Sequence, residues 1–382
     1  MKFNNSKIST ILSSLIIYFC FILNSTNKST FIILFLLFIV MILNLRLNKN
    51  EIISKLPLFL VFTLCIPLSF TDNFLLTQFI RLLEILCLIL LFPINYIPPR
   101  RLQLFLFIIL GYLIFTQIGM TLNISSIKSF VDKFYPIDIN YWGTNEYDSA
   151  TEALSQLNNR LAGIYYNPNI MGQSILLLYV LLLIIILKED DNKLKKIAIF
   201  FICLVSITLS GSRTALITYI LLNMYAYRKI LLKYIIIVLP TFIIAFLYFI
   251  VKYKDEIRVL SNITNPFGDK EDSGGAKLEV LINHFKTYNY QSITELIYLF
   301  FGKMNWDKQF DADPGYILSF FGILGTFVFT LYLIYLFFHL ENKFRFVFFI
   351  LLISIGATII MNFRFSILAA FIFSISYKKY KI

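Results

Sequence analysis

Apolar runs of helical length recur along the chain from Ile8 to Tyr377, and this recurrence constrains the fold more than any other feature. In hydrocarbon every backbone N–H and C=O must be bonded within the protein, so such runs become helices that cross or line a bilayer. Of the 382 residues 58% are hydrophobic and only 15% are charged, and the mean hydropathy is +0.77. A water-soluble core cannot hide that much apolar surface. The expected fold is all-α and polytopic, a single membrane domain over residues 1–382. Its helices, about 12 in number, fall near 8–23, 30–45, 56–71, 74–94, 102–122, 169–187, 197–209, 214–227, 234–251, 315–338, 346–361 and 365–377. The first run has a short basic flank and no small-residue cleavage pattern after it, so it reads as a retained helix.

The formal net charge of +12 raises the question of nucleic acid, but the basic residues are not distributed for it. They cluster at Lys2 and Lys7, at Arg46, Lys49 and Lys55, at Arg100 and Arg101, at Lys188 to Lys196, at Arg228 to Lys233, at Lys343 and Arg345, and at Lys378 to Lys381. On the helices above, these clusters share one side of the membrane. That is the positive-inside pattern, and it puts both termini in the cytosol. The two large loops, 123–168 and 252–314, then fall outside, with 15 acids against 11 bases between them. The charge sets topology, and nucleic acid is not an expected partner. Cys20, Cys65, Cys87 and Cys203 all lie in apolar runs, which argues against a disulfide framework. No ligand spacing suggests a metal and no Walker pattern suggests a nucleotide, so neither metal nor cofactor is expected.

The large loops interleave Tyr, Phe and Trp with charge, and ordered loops of this length are usually functional. The segment 278–290 has the pattern of an amphipathic helix. The apolar run 197–209 is short, about 20 Å of helix against a core of about 30 Å. The turn Ser210-Gly211-Ser212-Arg213 should therefore dip into the membrane or thin it, and the same holds for Asn362-Phe363-Arg364.

A few polar residues carry the chemistry. An arginine at membrane depth is costly unless it faces water or a partner, and its planar fork binds phosphate oxygens two at a time. Arg213 and Arg364 are such residues, with snorkelling to the headgroups as the plain alternative. Arg160 precedes an expected helix start in which Asn167 caps and Pro168 is the first helical residue. An arginine beside a helix N-terminus suits an anion. Asp313, before Pro314, reads either as a helix cap or as a carboxylate whose pKa a hydrophobic wall raises until it serves as a base. His284 is the histidine expected outside the cytosolic face, and a loop histidine is either a solvated side chain or a second base.

Three segments, Arg160 to Gly172 (RLAGIYYNPNIMG), Leu209 to Ala215 (LSGSRTA) and Asp311 to Gly325 (DADPGYILSFFGILG), resemble in order and placement the signature regions of O-antigen polymerases of the Wzy type. More broadly they resemble the O-antigen polymerase and ligase superfamily. The resemblance covers about Arg160 to Tyr335, while the N-terminal third is similar only in hydropathy. It implies a GT-C-like, polyprenol-dependent membrane glycosyltransferase fold in a bacterial inner membrane. The implied enzyme transfers a growing glycan from undecaprenyl pyrophosphate to a lipid-linked repeat unit. The lipid-linked donor and acceptor, the bilayer and a chain-length regulator are the partners it implies.

In that light Asp313, then His284, would take the acceptor's proton, and Arg213 would stabilise the leaving group. Arg160, Arg364, Asn167, Asn169 and Tyr316 would contact substrate. Where relatives carry an arginine early in the second large loop, this chain offers Lys277, which lacks the bidentate geometry. Ligases of the superfamily are expected to carry a histidine where Asp313 stands, which favours polymerase over ligase. A lipid-linked oligosaccharide transporter is the third reading. It fits less well, because polar residues gather at one face of the membrane and no internal repeat is visible.

Overall fold

The computed structural model describes residues 5–23, 27–44, 100–122, 124–135, 163–165, 168–189, 193–229, 289–302, 313–352 and 363–377, and isolated positions at 56, 232, 233, 240, 244, 248, 282, 283, 285 and 286. Among these the chain is all-helical and forms no strand. In chain order the helices are α1 (Asn5–Ile22), α2 (Asn27–Asn44), α3 (Arg100–Thr121), α4 (Ser125–Phe134), a 3-10 turn (Gly163–Tyr165), α5 (Pro168–Glu189), α6 (Lys193–Ser210), α7 (Arg213–Ala226), α8 (Ile293–Phe301), α9 (Asp313–His339), a 3-10 helix (Asn342–Leu352) and α10 (Phe363–Ser376). Three of them, through Leu102–Met120, Asn169–Leu187 and Phe321–His339, are long and apolar enough to cross a membrane. This marks the chain as a membrane protein. The expected helices at 56–71, 74–94 and 234–251 lie almost wholly outside the described residues, and that at 346–361 lies partly outside them.

The chain divides into two compact units, residues 10–37 with 97–264, and residues 1–9 with 38–96 and 265–382. In the first, α5 is the central element and packs against α3, α6, α7 and the 3-10 turn. Of the Asn169–Leu187 span 89% is covered by protein, against 44% of Leu102–Met120. Helix α6 is longer than the apolar run predicts, because Lys193 to Lys196 add an exposed, charged turn at its start. Its partner α7 is as short as expected, at 14 residues.

Polar side chains inside apolar helices find each other in this unit. Gln117 of α3 donates through Nε2 to the Ser206 carbonyl of α6 at 3.1 Å and accepts from the Ser206 hydroxyl. Tyr179 of α5 donates to Asn223 Oδ1 of α7, and Asn223 Nδ2 donates to the Tyr219 carbonyl at 2.8 Å. The Tyr219 hydroxyl donates in turn to the Phe200 carbonyl of α6 at 2.7 Å. Each such bond fixes a register that apolar packing alone leaves free to slide.

In the second unit α9 is two helical pieces joined at Gly322, whose φ of 63° and ψ of −169° are closed to other residues. The backbone of α8 lies against the break. A Cβ on Gly322 would collide with the Phe300 carbonyl and stand 2.6 Å from the Gly302 nitrogen. Thr326 donates its hydroxyl to the Gly322 carbonyl at 2.7 Å, the back-bond to residue i−4 that threonines make inside helices. At its other end α9 meets the end of α10, where the rings of His339 and Tyr377 stack with centroids 5.7 Å apart and Glu341 N–H donates to the Ser376 carbonyl at 3.0 Å.

Gly322→Ala is expected to lower the thermal unfolding midpoint of the detergent-solubilised protein, since backbone strain alone costs roughly 1–3 kcal/mol and the collision with α8 adds to it. An unchanged midpoint would show that the break does not depend on a glycine.

Candidate functional site

The end of the first unit where α5 and α7 begin is built by two glycines. Gly211 takes a φ of +66°, which lets the chain reverse within two residues between α6 and α7. The Ser210 hydroxyl closes the turn, donating to the Ile207 carbonyl at 2.7 Å and accepting from the Ser212 N–H at 3.3 Å. Ser212 is the N-cap of α7 and Arg213 the first residue of that helix. Gly172, in the second turn of α5, is the other. A Cβ there would stand 2.6 Å from Ser210 Oγ, 2.7 Å from Ser212 Cβ and 3.3 Å from Ala215 Cβ. Only a glycine lets α5 approach this turn so closely.

Contacts further along give the direction. Gly172 faces Ala215, and seven residues on Tyr179 meets Asn223, eight residues beyond Ala215, so α5 and α7 run parallel. Their N-termini therefore open at the same end of the unit. Pro168 lies four residues before Gly172, about 6 Å along the axis. Each N-terminus carries about half a positive charge on its unbonded N–H groups, and Arg213 adds a full one. Parallel dipoles repel, so an anion at this end relieves a strain that the packing imposes. The adjoining 3-10 turn is held by the Tyr165 hydroxyl, which donates to the Phe21 carbonyl of α1 at 2.7 Å.

Three polar atoms here are buried without a hydrogen-bond partner among the described residues: Ser212 Oγ, Gln173 Nε2 and Ser174 Oγ. Ser212 is fully buried, yet its side chain makes no capping bond to α7. Leaving such a group unsatisfied costs about 1–3 kcal/mol.

Of the residues singled out from sequence, Arg213 is half-buried at the start of α7 and Asn169 is exposed as the second residue of α5. In the second unit Asp313 and Tyr316 belong to the first turn of α9, which begins at Asp313, two residues before the expected start at 315, so that Asp313 is the first helical residue. Arg364 is half-buried as the second residue of α10 rather than in a turn before it. Measured from the joined ends of α9 and α10, Arg364 lies about 20 Å back along α10 and the Gly322 break about 25 Å back along α9, at 1.5 Å per residue. Arg160, Asn167, Lys277 and His284 lie outside the described residues.

The close approach at Gly172, the buried Ser212 hydroxyl and the break at Gly322 were not anticipated. Their signals were present as glycines and serines within the three motifs. A glycine's purpose, however, depends on what packs against it. No family model matches the chain, and no curated protein is similar to it at a significant level.

Ser210→Ala removes two hydrogen bonds and is expected to destabilise the unit by about 1–2 kcal/mol. Ser212→Ala removes an unbonded buried hydroxyl, so it should be neutral or slightly stabilising, whereas an ordinary N-cap serine loses about 1 kcal/mol. Thermal unfolding of the two variants in detergent separates them, and equal losses would mean that Ser212 is bonded after all.

Proposed function

We propose that this protein is a surface-polysaccharide polymerase of the O-antigen type, acting on lipid-linked oligosaccharides at the outer face of a bacterial cytoplasmic membrane. One observation carries the reading: the glycine that closes the first motif packs on Ser210, Ser212 and Ala215, all three of the second motif. Two segments that resemble a single family by sequence alone thus belong to one local structure, as parts of a common site should. The parallel N-termini of α5 and α7, with Arg213 at one of them, support an anionic ligand at that end.

In this reading the acceptor sugar's hydroxyl attacks the anomeric carbon of the donor glycan. The bond from that carbon to the pyrophosphate oxygen breaks, and undecaprenyl pyrophosphate leaves. Arg213 meets the charge that grows on the leaving pyrophosphate, and Arg160 and Arg364 are assigned to substrate binding. Asp313 takes the acceptor's proton, with His284 as the second candidate. Asn167, Asn169, Tyr316 and Lys277 position the sugars and the phosphate. The bilayer holds both lipid carriers, and a chain-length regulator is the protein partner this activity calls for.

Deleting the protein should abolish polymer while single repeat units remain attached to the lipid core of the lipopolysaccharide. Loss of every attached repeat would instead indicate a ligase or an export defect and would sink the polymerase reading. Arg213→Ala is expected to cut polymer formation by at least about 100-fold at unchanged abundance in the membrane. Normal chain length in that variant would remove Arg213 from the mechanism. Asparagine at position 313 still opens a helix but does not readily take a proton, so Asp313→Asn should lower activity by a factor of about 100 or more. Full activity would leave Asp313 with a capping role alone.

A further inference from the structure

Helix α4 stands in the stretch 123–168 that sequence reads as a large external loop, and its packing returns it to α3. The Leu122 and Ile124 N–H groups bond back to the Ile118 and Gly119 carbonyls at 2.9 and 3.0 Å, so the chain reverses within a few residues of the end of α3. Gly119 then receives the side chain of Ile127. A Cβ on that glycine would stand 2.9 Å from Ile127 Cγ2 and closer still to Cδ1. Eight residues later the Tyr135 hydroxyl bonds to the Tyr112 hydroxyl at 2.8 Å and to the Ile22 carbonyl of α1 at 3.0 Å. From Gly119 to Tyr112 is seven residues down α3, about 10 Å, and from Ile127 to Tyr135 is eight residues along the returning chain, about 12 Å. Hence α4 folds back over the last turns of α3. Those turns belong to the membrane-length span Leu102–Met120.

The side chains of α4 divide by direction. Ile127 and Val131 are buried against the unit. On one flank Phe130 and Phe134 are 40% and 55% exposed, with ring centroids 4.9 Å apart. Leu122 and Ile124 of the preceding turn are exposed as well. The other flank and the outward face carry Lys128, Asp132 and Lys133, a net single positive charge. An apolar flank beside lysines, next to the end of a membrane-length helix, has the composition of a helix that lies in a bilayer interface.

We propose that α4 is an interfacial helix. It seats Phe130 and Phe134 at the boundary of headgroups and acyl chains, in the leaflet where α3 ends, and offers Lys128 and Lys133 to anionic phospholipid phosphates. The partner of this surface is the bilayer itself, so the first residues of the loop are held on the membrane. This inference does not depend on the enzymatic reading.

The test uses the full-length protein with Trp142 and Trp306 replaced by Phe, reconstituted in vesicles of phosphatidylethanolamine and phosphatidylglycerol. A single tryptophan is then placed at Phe134, or at Ser129 on the opposite side of the helix. Phospholipids brominated near the carbonyl end should quench F134W at least about twofold more than S129W, and aqueous iodide should show the reverse order. Replacing Lys128 and Lys133 by Gln should weaken the lipid quenching of F134W. Iodide quenching of F134W equal to that of a free tryptophan would overturn the proposal in favour of a loop in water. A tryptophan at 134 that neither quencher reaches would overturn it in favour of cover by protein.

Discussion

Helices α5 and α7 come together because Gly172 presents no side chain to the turn that begins α7. Between helices in lipid there is little hydrophobic drive, since acyl chains are as apolar as leucine. Close van der Waals approach and buried hydrogen bonds must do that work. Gly172 permits the approach at one end, and the Tyr179–Asn223 bond holds the same pair seven residues further on. With both in place the two helices are parallel and their positive ends adjoin. The electropositive character of that end is therefore a consequence of packing, to which Arg213 adds.

The second unit solves a different problem with the same residue. A membrane-length helix that is interrupted leaves backbone groups without intrahelical partners, a cost of several kcal/mol in hydrocarbon unless other groups meet them. At Gly322 the backbone of α8 fits against the break. The nine residues from Asp313 to Phe321 are thus a separate half-helix, with Asp313 about 14 Å from the break by helical rise. The rest of α9 remains a spanning helix, of which only 28% is covered by protein. It is largely uncovered within its unit, in contrast to α5.

The polymerase reading rests on where these constraints fall. Gly172, Ser210, Ser212 and Ala215 lie in the first two motifs, and Gly322 lies in the third. The residues that resemble one family are thus also the ones this fold needs for close approach, reversal and breakage. Arg213 and Asp313 are the residues of those motifs on which the proposed function depends.

Much of the architecture was legible in the sequence because one variable, apolar length, dictates helices in lipid. The limits of α3, α5 and α10 match the apolar runs to within two residues. Pro168 starts its helix, and α7 is as short as its run. Charge at a helix end was harder to place: Lys193 to Lys196 continue α6, because lysines at the end of a span extend a helix into water at little cost. The tertiary structure alone decided which helix is sheathed by protein and which is left largely uncovered, since α5 and α9 are both apolar throughout. It also decided what each glycine is for, and that α4 folds back on α3 within the first large loop. Hydropathy is a property of one segment and is written along the chain. Close approach, reversal and the meeting of two helix ends depend on a second segment, which no single run contains.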